Sequence, residues 1–402
     1  MNMKIKNKSN YKSIDYGYSK NLWFIFSLLS IVLLLNGCVR PPGAEDVYKI
    51  AAIAPMTGTD PALGTSVING AELAVEEANE KGGINGKKIV LIKEDDGGLV
   101  GEGSFFAYRL TRTEMVLGVV GHVDSDISIP ASEFYANAMI VQISPGSTVP
   151  YFTERKDVRG YVFRTIGRDD TQGKMIVDYI IKHGFKKIAL LYSNREYGRS
   201  LSGEFARSLK AHAEANNKSN KPEIVFYSRI ERGKPDYDSL LTQISFSKPD
   251  VVVLAGEYND GGNLVRGFPK YGLTNVQFIG GDGVYHDEFI RYGGKNTEGA
   301  LVISAPPIQD EDFILRYKKR FEQEPTGYTA NAYDATNILI EAIKQVKEKD
   351  SDKIAKIVAA TQNFKGVTGK ISFNKDGDLT TLGFVFNKVI NGKFVVVKGE
   401  HG

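Results

Sequence analysis

Residues 116–148 read VLGVVGHVDSDISIPASEFYANAMIVQISPGST, and their punctuation decides the architecture. The run 116–120 is apolar and broken only by Gly118, the pattern of a short buried strand. A polar loop, 121–126 (GHVDSD), follows it. Pro130 suits the first turn of a helix, with Ser128 placed to cap it. The run 139–143 is a second apolar stretch, interrupted by Gln142, and 144–148 (SPGST) turns away from it. This is a β-α-β unit. Its two polar turns fall at the carboxyl ends of neighbouring parallel strands, where open α/β sheets bind ligands. Free backbone N–H groups at such turns and helix starts hold anions, and Ser125 and Thr148 add hydroxyl donors. The stretch is therefore either a carboxylate cradle or an ordinary pair of strand–helix loops.

The same alternation extends in both directions. Residues 49–54 (KIAAIA) form a strand, 55–65 a loop of Thr, Gly, Pro and Asp, and 70–81 a helix with Asn69 at its cap. In that helix Ala71, Ala74, Val75 and Ala78 lie on one stripe, and Gly82-Gly83 ends it. A strand at 88–93 and a helix at 103–114 lead into the opening unit. After a short strand at 163–165 the series restarts. Helices fall at 171–183, 197–215, 238–247, 258–271 and 287–292, and strands at 187–192, 223–229, 250–255, 277–281 and 301–304. The polar run 216–222 is expected on the surface. Helices at 311–323 and 333–348 precede three strand-like runs, 370–373, 383–388 and 393–398, the last two joined by an Asn391-Gly392 turn. Two successive β/α series argue for an α/β protein of two doubly wound, Rossmann-like lobes, and the cleft between them is the default ligand site.

The first 37 residues stand apart. Five lysines precede a 14-residue apolar run, 22–35 (LWFIFSLLSIVLLL). That is short of the roughly 20 residues a membrane span needs and fits a signal-peptide core. Cys38, the single cysteine of the chain, follows Leu35-Asn36-Gly37 and forms no internal disulfide. This arrangement resembles the lipobox of bacterial lipoproteins, in which the cysteine is lipidated and becomes the mature N-terminus. Residues 39–46 (VRPPGAED) then serve as a tether. The formal net charge of the 402-residue chain is only +3, which does not suggest a nucleic-acid partner. The five histidines show no metal-ligand spacing. Neither a nucleophile elbow, a phosphate loop nor a dinucleotide fingerprint is present, so no cofactor and no enzymatic activity are expected. His122 reads as a loop hydrogen-bond partner rather than a base.

Taken together, Ala54–Gly58 (APMTG), Asn69-Gly70-Ala71, Gly82–Gly86 (GGING), Gly121-His122 with Ser125, and Pro145–Thr148 resemble the type I periplasmic binding proteins. Gln172-Gly173, Tyr197-Gly198, Asp236-Tyr237, Gly281-Asp282-Gly283, Tyr333-Asp334-Ala335 and Gly366–Gly369 (GVTG) extend the match over nearly the whole chain after residue 46. The likeness is nearest to the leucine/isoleucine/valine-binding branch that serves ABC importers. It implies a three-crossing hinge near Gly167, Ala305 and Leu379. The lobes would be 47–167 with 306–378, and 168–305 with 379–402. It also implies an amino-acid ligand whose α-carboxylate meets Ser125, Gly146 and Thr148, with Ser147 in the same loop. The α-ammonium would meet the Thr148 hydroxyl, the Gly146 carbonyl and Asp282 from the other lobe. A zwitterion leaving water needs partners for both charges, and charge-assisted hydrogen bonds supply them.

The side-chain end departs from that family. Tyr197 and Tyr328 keep its aromatic character, but Leu63 stands where a tyrosine is common. Glu257 stands where another aromatic is usual, with Tyr258 adjacent. Asp124 replaces a small residue beside Ser125. Either these two carboxylates face solvent, or they suit a polar or cationic ligand side chain and penalise leucine. The implied partners are an ABC permease and ATPase and, through Cys38, a bacterial membrane on its exported side. The alternative is a lipoprotein that reports an amino acid or small carboxylate to a membrane receptor.

Overall fold

The computed structural model describes residues 46–58, 60–215, 221–346, 348–380 and 383–401. The apolar run 22–35, Cys38 and nearly all of the 38–46 tether lie outside them, as does most of the 216–222 loop. Among the described residues no helix is long and apolar enough to cross a membrane.

Two sheets organise the chain. The first contains β1 (Tyr48–Ala54), β2 (Ile89–Asp95), β3 (Gly118–Gly121), β4 (Val141–Ser144) and β5 (Val162–Arg164), ordered β2-β1-β3-β4-β5 and parallel throughout. The second contains β6 (Lys187–Ser193), β7 (Glu223–Ile230), β8 (Val251–Ala255), β9 (Gln277–Gly280) and β10 (Leu301–Ser304). After a small hairpin of β11 (Phe364–Gly366) and β12 (Gly369–Ile371), β13 (Val385–Ile390) and β14 (Lys393–His401) complete the second sheet. Its order is β14-β13-β10-β9-β8-β6-β7, with β13 and β14 antiparallel. Asn391 and Gly392, both at positive φ, make the tight turn between them. The chain thus passes between sheets three times: after β5, after β10 and after β12.

Burial follows position. The central strands β3, β4 and β8 are buried at every residue, and β1 at all but Lys49. They read as unbroken apolar runs because helices cover both faces of a parallel sheet. The edge strands β2 and β7 are only partly buried and carry charge accordingly. Each sheet reverses its strand order once, between β1 and β3 in the first and between β6 and β8 in the second. Those reversals open crevices at the strand carboxyl ends.

Several helices begin earlier than the sequence suggests. The first is Pro61–Glu80, not 70–81. Pro61 suits a first helical turn, but Gly64 and Ser66 give the stretch a loop-like composition. Gly64 is required because the helix passes tightly under the end of β1: a Cβ there would lie 2.0 Å from the Pro55 carbonyl oxygen, while the Ser66 hydroxyl donates to the Ala62 carbonyl at 2.9 Å. The helix after β3 is Ser125–Asn137. Ser128 is therefore not its cap, and its hydroxyl donates to the His122 carbonyl at 3.2 Å. Pro130 sits inside the helix, where it removes one backbone donor. Gly327–Gln345 starts six residues before the expected Tyr333, set by a capping box between Thr326 and Thr329. A further helix, Ser351–Ala359, is capped by Asp350, whose carboxylate accepts from the Lys353 amide at 3.1 Å.

One carboxylate explains two distant motifs. Asp334 Oδ1 accepts from the Val367 amide at 2.9 Å, and Oδ2 accepts from the Thr368 amide at 3.0 Å and its hydroxyl at 2.6 Å. Gly366 is required beside it, since a Cβ there would meet Asp334 Oδ2 at 2.4 Å. Burial raises the Asp334 carboxyl to about 6 against the opposing pull of those donors.

Candidate functional site

A cavity lies where the two crevices face each other. From the first sheet it takes residues after β1 (Asp60, Leu63), after β3 (Val123 to Asp126) and after β4 (Gly146). From the second it takes residues after β6 (Arg195, Tyr197), after β8 (Glu257) and after β9 (Asp282, Gly283). Tyr328, one residue into its helix, completes the wall. The space among these residues is about 460 Å³ when the open solvent at its mouth is included. Eight of the residues expected from sequence line it: Leu63, Asp124, Ser125, Gly146, Tyr197, Glu257, Asp282 and Tyr328. Ser147 and Thr148 do not.

At one end the donors are neutral. Ser125 opens the helix Ser125–Asn137, whose first amides have no side-chain cap from Asp124, so the positive end of the helix faces the cavity. The following loop is rigid. The Ser144 hydroxyl donates to the His122 carbonyl at 2.6 Å and accepts from the Ser147 amide at 2.9 Å and the Gly146 amide at 3.3 Å. The Ser147 hydroxyl turns inward, donating to Ser128 Oγ at 2.6 Å. The Thr148 hydroxyl is buried beside the Asp169 carboxyl but outside hydrogen-bond geometry. Burial pushes Asp169 up to about 7. Beneath the loop, His122 is fully buried, its Nδ1 2.7 Å from Asp96 Oδ2 and its Nε2 3.2 Å from the Tyr135 hydroxyl. It supports the loop and does not reach the cavity.

Asp282 is held from both sides by one side chain. Gln172 Nε2 donates to Asp282 Oδ1 at 2.8 Å, and Gln172 Oε1 accepts from the Asp282 amide at 3.0 Å. The Tyr328 hydroxyl donates to Asp282 Oδ2 at 3.3 Å, and the Tyr197 hydroxyl accepts from the Gly283 amide at 3.1 Å. Burial raises the Asp282 carboxyl, and the Gln172, Tyr197 and Tyr328 contacts oppose it. Sequence reasoning quoted Gln172 as a motif without giving it this positioning role.

The cavity also carries charged pairs, and here two arginines escaped the sequence reading. Arg195 reaches across the cleft. Its Nη2 donates to Asp124 Oδ2 at 2.7 Å, its Nε lies 2.8 Å from Asp126 Oδ2, and its Nη1 donates to the Gly98 carbonyl at 3.0 Å. Arg232 pairs with Asp60 and, through Nε at 3.2 Å, with Glu257 Oε2. Asp124 and Glu257 therefore do not point to solvent. Burial drives the Asp124 carboxyl up to about 7 although Arg195 pulls it down, and Glu257 is raised for the same reason. No periodicity could have signalled these pairs, because Arg195 and Arg232 sit on strand-end loops far along the chain from the aspartates they meet. Among the described residues no cluster of His, Cys, Asp or Glu is arranged to hold a metal ion.

Comparison with known proteins accords with this geometry. A family model described as periplasmic binding protein matches residues 47–392. A Leu/Ile/Val-binding protein homologue of Brucella suis is 33% identical over 339 residues, covering 83% of this chain and 88% of its own. Among solved structures, a leucine-binding protein from Thermotoga maritima superposes with a TM-score of 0.79 at 27% identity, covering 87% of this chain and 98% of its own. A branched-chain amino acid transporter substrate-binding protein from Streptococcus pneumoniae, in complex with isoleucine, gives 0.77 at 28% identity, covering 88% and 99%. These relatives are named as leucine- or branched-chain amino acid-binding proteins, and the two parallel-sheet lobes match those of the solved ones. The chain belongs to the periplasmic binding protein family.

Proposed function

We propose that this protein is an extracytoplasmic solute-binding lipoprotein that captures an amino acid between its lobes and delivers it to an ABC permease and ATPase. The observation that carries the reading is convergence: the carboxyl ends of both sheets meet at one cavity, with neutral donors on one lobe and Asp282 on the other. In this reading the α-carboxylate docks against the Ser125 hydroxyl, the Gly146 segment and the start of the Ser125–Asn137 helix. The Thr148 hydroxyl turns toward the ligand from its buried position. The α-ammonium pairs with Asp282, which Gln172 holds in place. A ligand touching both lobes selects the closed form because only that form contacts it from both sides. Lipidation at Cys38 would keep the protein at the membrane beside its permease.

Two measurements test this. Thermal-shift screening of the refolded protein against the twenty amino acids and simple carboxylates should give at least one amino acid that raises the Tm, as mass action on the folded state requires. Stabilisation by carboxylates alone, with none by amino acids, would remove the role given to Asp282. For the anchor, Cys38→Ser should release the exported protein from the membrane fraction, and retention there would refute lipidation.

A further inference from the structure

The charged end of the cavity bears on which amino acid is taken, and this step rests on the amino-acid reading above. Two lobe-spanning arginines, Arg195 and Arg232, face four carboxylates: Asp60, Asp124, Asp126 and Glu257. From these geometries we infer that the ligand side chain is cationic, an ammonium or guanidinium of the lysine or arginine type.

Donor bookkeeping supports a cation rather than an anion. All three nitrogens of Arg195 are committed to protein acceptors: Asp124, Asp126 and the Gly98 carbonyl. Arg232 pairs with Asp60, and its Nε faces Glu257 Oε2 at 3.2 Å outside hydrogen-bond geometry, so donor and acceptor there are equally unsatisfied. An anionic side chain would have to displace one of these partners and would enter beside four carboxylates. Acceptors, by contrast, are in excess. Glu257 is 7% exposed, its Oε2 has no hydrogen bond of proper geometry, and its Oε1 receives only the Ser193 hydroxyl at 3.4 Å. Four carboxylates share two guanidiniums, so acceptors outnumber donors there, while in the proposed pose Asp282 is occupied by the α-ammonium.

An apolar branched side chain would bury these acceptors further without giving them a donor, which is costly. A cationic chain gives them one. Leu63 and Tyr197 line the same cavity and suit the methylene stem that lysine and arginine carry beneath their charge. The raised Asp124 carboxyl is what a buried acid shows when burial outweighs its single guanidinium partner.

Calorimetric titration of the full, refolded protein with L-arginine, L-lysine, L-leucine and L-glutamate separates the possibilities. Arginine or lysine is expected to bind at least tenfold tighter than leucine and glutamate. In E257Q that preference over leucine should shrink by at least tenfold. If E257Q fails to fold, D126N is read in its place and should shift the preference in the same direction. Tighter binding of leucine or glutamate than of either cation overturns the inference and leaves the amino-acid reading intact. An unchanged preference in both folded variants also overturns it. Binding of no amino acid by the unmodified protein overturns the amino-acid reading itself.

Discussion

The two ends of one cavity are built on different principles. The head-group end uses neutral hydroxyls, a helix start and one acid, and each is fixed mainly from within its own lobe: Ser144 braces the Gly146 loop, and Gln172 braces Asp282. The side-chain end uses charge pairs that cross between lobes, Arg195 to Asp124 and Asp126 and Arg232 to Asp60. Locally braced groups keep their geometry when the lobes move apart, so they suit a first docking surface. Pairs that span the cleft exist only when it is shut, so they govern closure and discrimination.

Breaking the head-group end should have the larger effect on binding. Asp282→Ala is expected to weaken every amino-acid ligand by about 100-fold, roughly 3 kcal/mol, the upper range for a hydrogen bond to a charged group. Calorimetry checks it, and loss confined to cationic ligands would show that Asp282 belongs to the other end. Arg195→Met should act first on stability. It strands Asp124 and Asp126, and because all three side chains keep 17–18% exposure the cost is about 1–3 kcal/mol rather than that of a sealed pair. A denaturant melt measures it, and the loss should be largest at alkaline pH and shrink as pH falls through about 7 and Asp124 takes up its proton.

Gly146→Ala probes the head-group end more gently. Its Cβ would come within 2.8 Å of Val123 Cγ1, so the loop must shift by a few tenths of an ångström. Affinity should fall by about tenfold, roughly 1.4 kcal/mol, for all side chains alike. An effect that depends on the side chain would mean the two ends are not separable. A further effect, separate from ligand affinity, is in pH. Asp124 and Asp169 at about 7 and Asp334 at about 6 all stand above the usual carboxylate value near 4. Between about pH 4 and 7 the folded protein holds protons that the unfolded chain has released. These groups therefore favour folding most at low pH, and the advantage declines as pH rises through that window. The unliganded protein should lose stability steadily between pH 5 and pH 7.5, and a melt that stays flat would contradict those environments.

The same contrast explains what the sequence disclosed. The head-group residues follow strands directly, so Ser125 could be read from its turn, while Gly146 and Asp282 came from the resemblance to the binding-protein family. Arg195 lies 71 positions from Asp124, and Arg232 lies 172 from Asp60. Only the docking of two separate sheets brings them together, and no local signal encodes that. Helix starts were missed for a related reason. Gly64 looks like a loop residue because a close approach to Pro55 leaves no room for a side chain, a tertiary requirement overriding local propensity.

The clasp made by Asp334 has a practical corollary. Two scraps of sequence more than thirty positions apart behave as one heritable unit, because neither Gly366 nor Thr368 can be exchanged without re-engineering the acid that grips them. Anyone splicing a reporter domain or new termini into this protein should treat 364–371 as a rivet and cut elsewhere.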